Sequence, residues 1–250
     1  MQKSTLDKIT VLLAECIGTA LLVLLGCVGC TSGLGHTRGH FESTLNFGLT
    51  VMIVVQIFGC VSGSHVNPAV TVAAFVYKMV SLPMAAAYIC SQILGAFIGF
   101  GVLKLIVPSY LFGSDAHKEG ICTTVPHEDL TAFQAVAAEF FATLVLILVC
   151  CGVWDPRNKT NEDSIPLRFG FTVGSLAIGF GTLTGCSMNP ARSFAPAVWN
   201  NNYRLHWIYW VGPLAAGVIG SVLYRTVFRR EVVVNNRVEE LPLRDNKNSA

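Results

Sequence analysis

Charged residues are scarce in this sequence. Asp, Glu, Lys and Arg make up 13% of its 250 residues, and 52% of the residues are hydrophobic, whereas soluble domains carry about 25% charged residues. The mean hydropathy of +0.56 excludes a disordered chain. A net charge of +2 gives no excess of positive charge for binding nucleic acid, so no nucleic-acid partner is expected. These scarcities exclude most soluble classes of protein.

The few charges are spaced so that long stretches contain none. These stretches are residues 16–37, 43–77, 79–103, 169–191 and 205–224. Each is long enough to cross the hydrocarbon core of a lipid bilayer, which takes about 20 apolar residues in a helix. A sixth apolar stretch contains one carboxylate, Glu139. The sequence therefore predicts an all-α polytopic membrane protein with six transmembrane helices, near residues 9–31, 43–61, 85–107, 131–153, 166–184 and 206–228.

Disulfide bonds, metal sites and cofactors are not expected. Apart from Cys122, the cysteines fall in or beside apolar stretches, where cysteine acts as a small hydrophobic residue. The sequence contains no CxxC pair with metal-ligating partners. Cys122 stands in a polar loop and is the cysteine expected to meet solvent.

Two of the connections between spans are apolar rather than polar. Both contain the triplet Asn-Pro-Ala, at Asn67, Pro68 and Ala69 and again at Asn189, Pro190 and Ala191. Asparagine is favoured as a helix N-cap and proline at the first helical position. The apolar stretch that follows each triplet covers half a membrane crossing, which predicts two re-entrant half-helices. An ordinary Asn-Pro turn is the alternative for either triplet taken singly.

The triplets belong to an internal repeat. Residues 46–51 (NFGLTV) recur as residues 168–173 (RFGFTV) at the same offset as the triplets, and the segment around Glu15 resembles the one around Glu139. Each half, about residues 9–107 and 131–228, holds three spans and one half-helix. Because three is odd, the halves have opposite orientations in the membrane. The prediction is an inverted repeat, in which sites lie at the midplane where the halves meet.

Lysine and arginine in short loops predict the orientation, since they are enriched on the cytoplasmic side. The side that carries both termini holds nine of them, namely Lys3, Lys8, Lys78, Arg157, Lys159, Arg168, Arg225, Arg229 and Arg230. The other side holds Arg38, Lys104, Lys118 and Arg204. We therefore expect a plasma-membrane protein with a cytoplasmic N-terminus (residues 1–8), a membrane domain (residues 9–228) and a cytoplasmic tail (residues 229–250).

The two half-helices predict a pore that rejects ions. They enter from opposite faces, so their N-termini meet near the bilayer centre, and each N-terminus carries about half a positive charge. Asn67 and Asn189 each offer an amide N–H to a passing oxygen. A water molecule that accepts hydrogen bonds from both asparagines must turn its own hydrogens away from them. This orientation interrupts proton transfer along a single file of water molecules in the pore.

Taken together, these motifs resemble the aquaporins, the major intrinsic protein family, over about residues 9–228. The resemblance implies one pore in each monomer and a homotetramer. It also implies a selectivity filter formed by Phe47, Ala177, Cys186 and Arg192. An arginine that merely reaches for the membrane surface is the alternative for Arg192. His65 is placed beside the pore, where gating is one possibility and a packed, hydrogen-bonded histidine the other.

Glu15 and Glu139 are the carboxylates within the spans. Their repeat symmetry favours structural bracing, in which each carboxylate accepts N–H groups from the irregular backbone that leads into a half-helix. The competing interpretation is a proton-coupling site, as in a secondary transporter. Unsaturable flux that ignores ion gradients would exclude that class.

Ala177 stands where water-selective members of the family carry histidine. A methyl group in place of imidazole leaves a wider and more apolar constriction, which favours glycerol and urea besides water, unless the small residue serves only helix packing. Four other positions resemble the water-selective pattern instead: Ser193, Ala197, Tyr209 and Trp210. This combination resembles the insect glycerol-transporting aquaporins. The alternatives are a water-selective aquaporin and a junctional or structural membrane protein, and no enzymatic constellation is present.

Overall fold

A computed structural model describes residues 5–230, and it confirms the all-α prediction. Its α-helices are α1 (Thr5–Gly29), α2 (His40–Ser62), α3 (Pro68–Val76), α4 (Leu82–Ile106), α5 (Ala132–Trp154), α6 (Ile165–Thr184), α7 (Pro190–Trp199) and α8 (Ile208–Leu223), the last continued by a π-helical turn (Tyr224–Phe228). Within this range the extended pairing is limited to one bridge between Gly33 and His36.

Helix length separates the spans from the half-helices. Five helices are long and apolar enough to cross a bilayer, namely α1, α2, α4, α5 and α8 with its π-helical turn. The 20 residues of α6 cover about 30 Å, the thickness of the hydrocarbon core. By contrast, α3 has 9 residues and α7 has 10, too few to cross. The predicted plan of six spans and two half-helices is the one observed.

The two halves pack in equivalent ways. In the first half α1 lies along α4, and in the second α5 lies along α8. Each half-helix also packs against the other half, α3 against α8 and α7 against α4. The pair α2 and α6, one helix from each half, joins the halves on a further side. The half-helices are therefore held between the repeats.

Small residues allow the closest of these approaches. A Cβ at Gly95 or Gly99 of α4 would overlap the carbonyl oxygens of Cys16 and Ala20 in α1. Between membrane helices there is little hydrophobic driving force, so close packing of backbones over glycine is a main source of association. Other large apolar side chains, such as those of Phe133 and Phe171, are exposed on the outside of the helix bundle, where a bilayer would contact them.

Some boundaries differ from those predicted. Helix α1 already includes Thr5, the first described residue, rather than beginning near residue 9, because these residues are polar and hydropathy does not detect them. Asp7 among them is compatible with a helix start, since a carboxylate interacts favourably with the helix N-terminus. Of the predicted tail, residues 231–250 lie outside the described residues.

The expectation that the cysteines form no disulfide bond is wrong. Cys27 of α1 is bonded to Cys122 of the loop between α4 and α5, across 95 residues of sequence. Cys122 is 9% exposed, so the expectation that it meets solvent is also wrong. The loop is polar in composition, yet it folds back over the ends of α1 and α7, and this fold-back buries the sulfur.

Candidate functional site

Each Asn-Pro-Ala triplet begins a half-helix as the sequence predicts. The Asn67 side chain Oδ1 accepts a hydrogen bond from the Ala69 amide at 2.8 Å. Asn189 Oδ1 accepts from the amides of Ala191 at 3.1 Å and Arg192 at 3.2 Å. Pro68 and Pro190 occupy the first helical positions, where a missing N–H costs no hydrogen bond.

The two asparagines also bind the opposite repeat. Asn67 Nδ2 donates to the Met188 carbonyl and Asn189 Nδ2 donates to the Val66 carbonyl, both at 2.8 Å. Val66 and Met188 have φ angles of +42° and +52°, in the left-handed region that β-branched and bulky side chains avoid. This conformation presents each carbonyl to the asparagine of the other half. One amide hydrogen of each asparagine remains free of these bonds.

Glu15 and Glu139 hold the backbone just ahead of the half-helices. Glu15 accepts from the amides of His65 at 2.9 Å and Val66 at 2.7 Å, and further bonds come from the side chains of Ser62 and Gln92. In the second half the donors are the amides of Ser187 and Met188, both at 2.9 Å, and the Thr184 hydroxyl at 2.6 Å.

Both glutamates are fully buried, and neither lines the cavity described next. The donors around them compensate the cost of burying a carboxylate. The arrangement also satisfies backbone N–H groups that bilayer hydrocarbon could not. The geometry thus suits bracing and supplies no contact between either carboxylate and a permeating solute.

A cavity of about 1070 Å³ passes between the repeats. Asn67 and Asn189 line its middle. One end, the His40 mouth, is lined by His40, Ser43, Thr44, Thr123 and Thr124. The other end, the Asp155 mouth, is lined by Asp155, Lys159, Glu162 and Asp163. The half-helix N-termini therefore meet within a passage that reaches both ends of the helix bundle.

All four residues of the predicted filter line this cavity. The Arg192 guanidinium carbon lies 4.5 Å from the centroid of the Phe47 ring, and its Nη1 donates to the Cys122 carbonyl at 2.9 Å. Phe47 packs with the apolar cluster around α1 and α4, whereas Ala177 and Cys186 belong to the cluster around α5 and α6. The cavity is therefore bounded by an aromatic and cationic wall and by a small apolar wall.

His65 lies at the cavity wall between the asparagines and the Asp155 mouth. Its Nδ1 is 3.2 Å from the Thr71 hydroxyl, which already accepts from Gln92 Nε2. A hydroxyl can donate one hydrogen bond and accept two, so the Thr71 hydroxyl can pair with Nδ1 in either tautomer of the imidazole. The ring also packs against Tyr88 and Trp154. His65 is thus a packed, hydrogen-bonded histidine that borders the passage.

The Asp155 mouth carries a paired charge. Arg157 donates to both carboxylate oxygens of Asp155, from Nε at 2.8 Å and from Nη2 at 2.6 Å. These bonds lower the pKa of Asp155 to about 2. The carboxylate therefore stays ionised across the physiological pH range.

The sequence did not predict the contact of His40 with α6 or the bond of Cys122 to Cys27. His40 Nε2 donates to the Ile178 carbonyl at 3.0 Å, and its ring covers Gly181 of α6. An imidazole thus reaches α6 about one turn from Ala177, from a different helix. The signal available was Gly181 itself, whose missing side chain leaves room for the ring. Nothing in the cysteine pattern marked Cys122 as a disulfide partner, because Cys27, to which it is bonded, lies in an apolar span.

The comparisons with known proteins agree with this geometry. The profile of the major intrinsic protein family matches residues 2–224. The chain is 38% identical to mouse aquaporin-4 over 232 residues, which cover 91% of this chain and 70% of that protein. It is 40% identical to rat aquaporin-2 over 215 residues, which cover 85% and 76%.

A solved structure shares the fold. The crystal structure of the aquaglyceroporin from Plasmodium falciparum superposes with a TM-score of 0.74, covering 88% of this chain and 96% of that one, at 22% sequence identity. At this identity the likeness bears on the fold alone. The family profile and the relatives show that the chain belongs to the major intrinsic protein family, the aquaporins, and is a membrane channel rather than an enzyme.

Proposed function

We propose that this channel passes water and small uncharged solutes such as glycerol and urea, and excludes ions and protons. The observation that carries the proposal is the makeup of the cavity wall at the filter. Arg192 supplies hydrogen-bond donors beside Phe47, while Ala177 and Cys186 supply a small apolar surface. Glycerol can accept hydrogen bonds from the arginine through its hydroxyls and can place its carbon backbone against the alanine. Urea can accept them through its carbonyl and is small enough to pass the alanine.

Exclusion of ions is supported by the centre of the passage. The N-termini of α3 and α7 both face it, and their partial positive charges repel cations. Each asparagine side chain keeps one amide hydrogen after binding the opposite repeat. A water that accepts both remaining hydrogens points its own hydrogens away from the centre, so a chain of proton donors is interrupted there.

The test is permeability of the purified channel in proteoliposomes. We expect water, glycerol and urea each to cross faster than in empty vesicles, without saturation and without dependence on an ion gradient. Permeability no higher than that of lipid would favour the junctional or structural alternative. Saturable flux driven by an ion gradient would favour a transporter.

A water-selective channel is the second candidate, and one observation favours it. His40 brings an imidazole to the cavity wall at Gly181, close to the place where Ala177 lacks one. If this ring narrows the passage, the wild-type channel passes water and little glycerol, and His40→Ala raises glycerol permeability. If the proposed function is right, glycerol crosses the wild-type channel and His40→Ala changes its permeability little.

The orientation we propose has both termini in the cytoplasm, in the plasma membrane. It is supported by the distribution of lysine and arginine and by the Cys27–Cys122 disulfide, since such bonds persist on the oxidising side of a membrane. The His40 mouth then faces outward. Antibody access to N- and C-terminal epitopes only after permeabilisation would agree with this orientation.

We also propose a homotetramer, as the family resemblance implies, to be tested by crosslinking in the membrane.

Removal of the filter charge is expected to admit cations. In the Arg192→Val channel, water flux should stay within about twofold of wild type, while a cation conductance absent from wild type appears. The reason is that the fixed positive charge in the lumen is lost. Voltage clamp on cells with matched surface expression is the measurement. Arg204→Val is the control, because Arg204 does not line the cavity; equal conductances in both variants would contradict the assignment.

Mercurial reagents are expected to block the channel at Cys186. This thiol lines the cavity beside Arg192, and a bound metal would occlude a single-file passage. Cys186→Ser should reduce inhibition from nearly complete to less than about a tenth of the flux. Cys60→Ser is the control, because Cys60 lines the cavity beyond the asparagines. Persistent block in Cys186→Ser would assign inhibition to another lining thiol, such as Cys30.

A further inference from the structure

The loop that carries Cys122 is attached to α7 along its length. Asn200 Nδ2 donates to the Ile121 carbonyl at 3.0 Å and to the Thr123 hydroxyl at 2.8 Å. The Thr124 hydroxyl donates to Ser193 Oγ at 2.6 Å. Between these contacts, the Cys122 carbonyl accepts the hydrogen bond from Arg192. Residues 121–124 therefore form one wall beside the filter arginine.

Cys122 is the point at which this wall is joined to the first repeat. Its sulfur is bonded to Cys27, which is fully buried in α1. Its φ angle is +64°, a conformation uncommon for a residue other than glycine. The disulfide thus fixes, through one residue, both the side chain and the direction in which the carbonyl faces.

The neighbouring residue of α1 seats the other partner of Arg192. A Cβ at Gly26 would overlap the ring of Phe47, so the ring lies directly against the backbone of α1. Phe47 in turn lies beneath the Arg192 guanidinium. Adjacent residues of one helix, Gly26 and Cys27, therefore determine where the aromatic ring lies and where the carbonyl lies.

We propose that the Cys27–Cys122 disulfide is a positioning element of the filter. By fixing the Cys122 carbonyl against α1, it keeps the Arg192 side chain on the wall over Phe47 and so sets the width of the passage. The proposal rests on the proposed function, in which Arg192 lines the conducting path. Cys27 does not line the cavity and acts only through Cys122 and Arg192, whereas Cys122 borders the cavity and holds Arg192 by its carbonyl.

The physical consequence of losing the bond follows from the hydrogen-bond donors of Arg192. Without the tether, residue 122 is free to leave its left-handed conformation, and its carbonyl turns away. The guanidinium is buried and cannot lose its proton, so it must replace that acceptor. Because Arg192 lines the cavity, water in a filled lumen would offer acceptors, and the side chain would move toward it. The passage then narrows, more severely for a three-carbon solute than for water.

The experiment compares Cys27→Ala/Cys122→Ala with the control Cys16→Ala/Cys90→Ala. The control also removes two cysteines, one from α1 and one from α4, and both are unbonded and do not line the cavity. We expect glycerol permeability per channel to fall about fivefold and water permeability about twofold in the first variant, and neither to change in the control. An unchanged glycerol-to-water ratio and unchanged water flux in the first variant would overturn the proposal.

A second background separates positioning from general damage to the fold. In Arg192→Val there is no guanidinium to release, so the same two alanine substitutions should change neither permeability. A full additional loss in that background would also overturn the proposal. If the double-alanine variant does not reach the membrane, wild-type proteoliposomes measured before and after reduction with a phosphine give the same comparison, with alkylation and mass spectrometry to verify that Cys27 and Cys122 were bonded and became free.

Failure of the proposed function gives a different result. A wild-type channel that passes water but no glycerol contradicts the proposed solute range, and the disulfide effect is then measured by water permeability alone. Alkylation of Cys122 in unreduced wild-type protein contradicts the disulfide without bearing on the solutes.

Discussion

Glycerol permeability is expected to fall at least about tenfold in Ala177→His, while water permeability stays within about twofold of wild type. A tenfold change corresponds to about 1.4 kcal/mol in the barrier. Ala177 lies at the cavity wall next to Cys186, whose thiol donates to the carbonyl of Leu176. A ring at position 177 projects into the lumen there. Water passes beside it and exchanges hydrogen bonds with it, whereas a three-carbon polyol must clear it sterically.

The specificity in this prediction comes from a group that rejects the larger solute. Stopped-flow light scattering with water and glycerol gradients, on the same vesicles, is the measurement. Ala177→Val is the matched control, because it adds volume without polar groups and should lower both fluxes by a smaller factor. Undiminished glycerol flux in a well-expressed Ala177→His channel would show that position 177 does not form the constriction.

Loss of folded channel is the expected result of Glu139→Leu. The substitution leaves the buried amides of Ser187 and Met188 and the hydroxyl of Thr184 without their acceptor. Each unsatisfied buried group costs about 1–3 kcal/mol, against a total stability of about 5–15 kcal/mol for a typical domain. We expect less than about a tenth of the wild-type yield of monodisperse protein in detergent.

Glu139→Gln is the matched control for this prediction. Its carbonyl oxygen still accepts from some of the donors, but its amide group faces N–H groups that need an acceptor. Its yield and thermal stability should therefore lie between those of Glu139→Leu and wild type. Fluorescence-detected gel filtration after heating is the measurement. A Glu139→Leu protein as stable as wild type would contradict the bracing assignment and reopen a role for Glu139 in coupling to protons.

The fold was predictable because the relevant signals are local and strong. The charge-free stretches locate the spans, and the order Asn-Pro at 67–68 and 189–190 starts the half-helices where N-capping requires. The repeat then adds a constraint that no single segment carries. The opposite orientation of two equal halves brings the triplets together, which the contacts between Asn67 and Met188 and between Asn189 and Val66 reproduce.

The features of the site that were not predictable depend on the local backbone conformation and on contacts between residues far apart in the sequence. The carbonyls of Val66 and Met188 accept their bonds from residues with positive φ angles, a conformation that valine and methionine rarely adopt and that residue preferences therefore do not predict. Cys27 and Cys122 are 95 residues apart, and each on its own fits an ordinary role. His40 reaches α6 from the first turn of α2, where a polar residue is equally expected to face solvent.

The reciprocal hydrogen bonds of Asn67 with Met188 and of Asn189 with Val66 form an isologous interface between the two halves of one chain. Each half supplies the same donor and the same acceptor, as the two subunits of a twofold dimer do. Neither half alone satisfies its own asparagine amide or its own turned carbonyl. A single half expressed by itself would form these bonds only by pairing with a second copy inserted in the opposite orientation. The two copies would then be related by a twofold axis in the plane of the membrane. The covalent link between the halves thus fixes a pairing that separate copies would form only if the same chain were inserted into the membrane in both orientations.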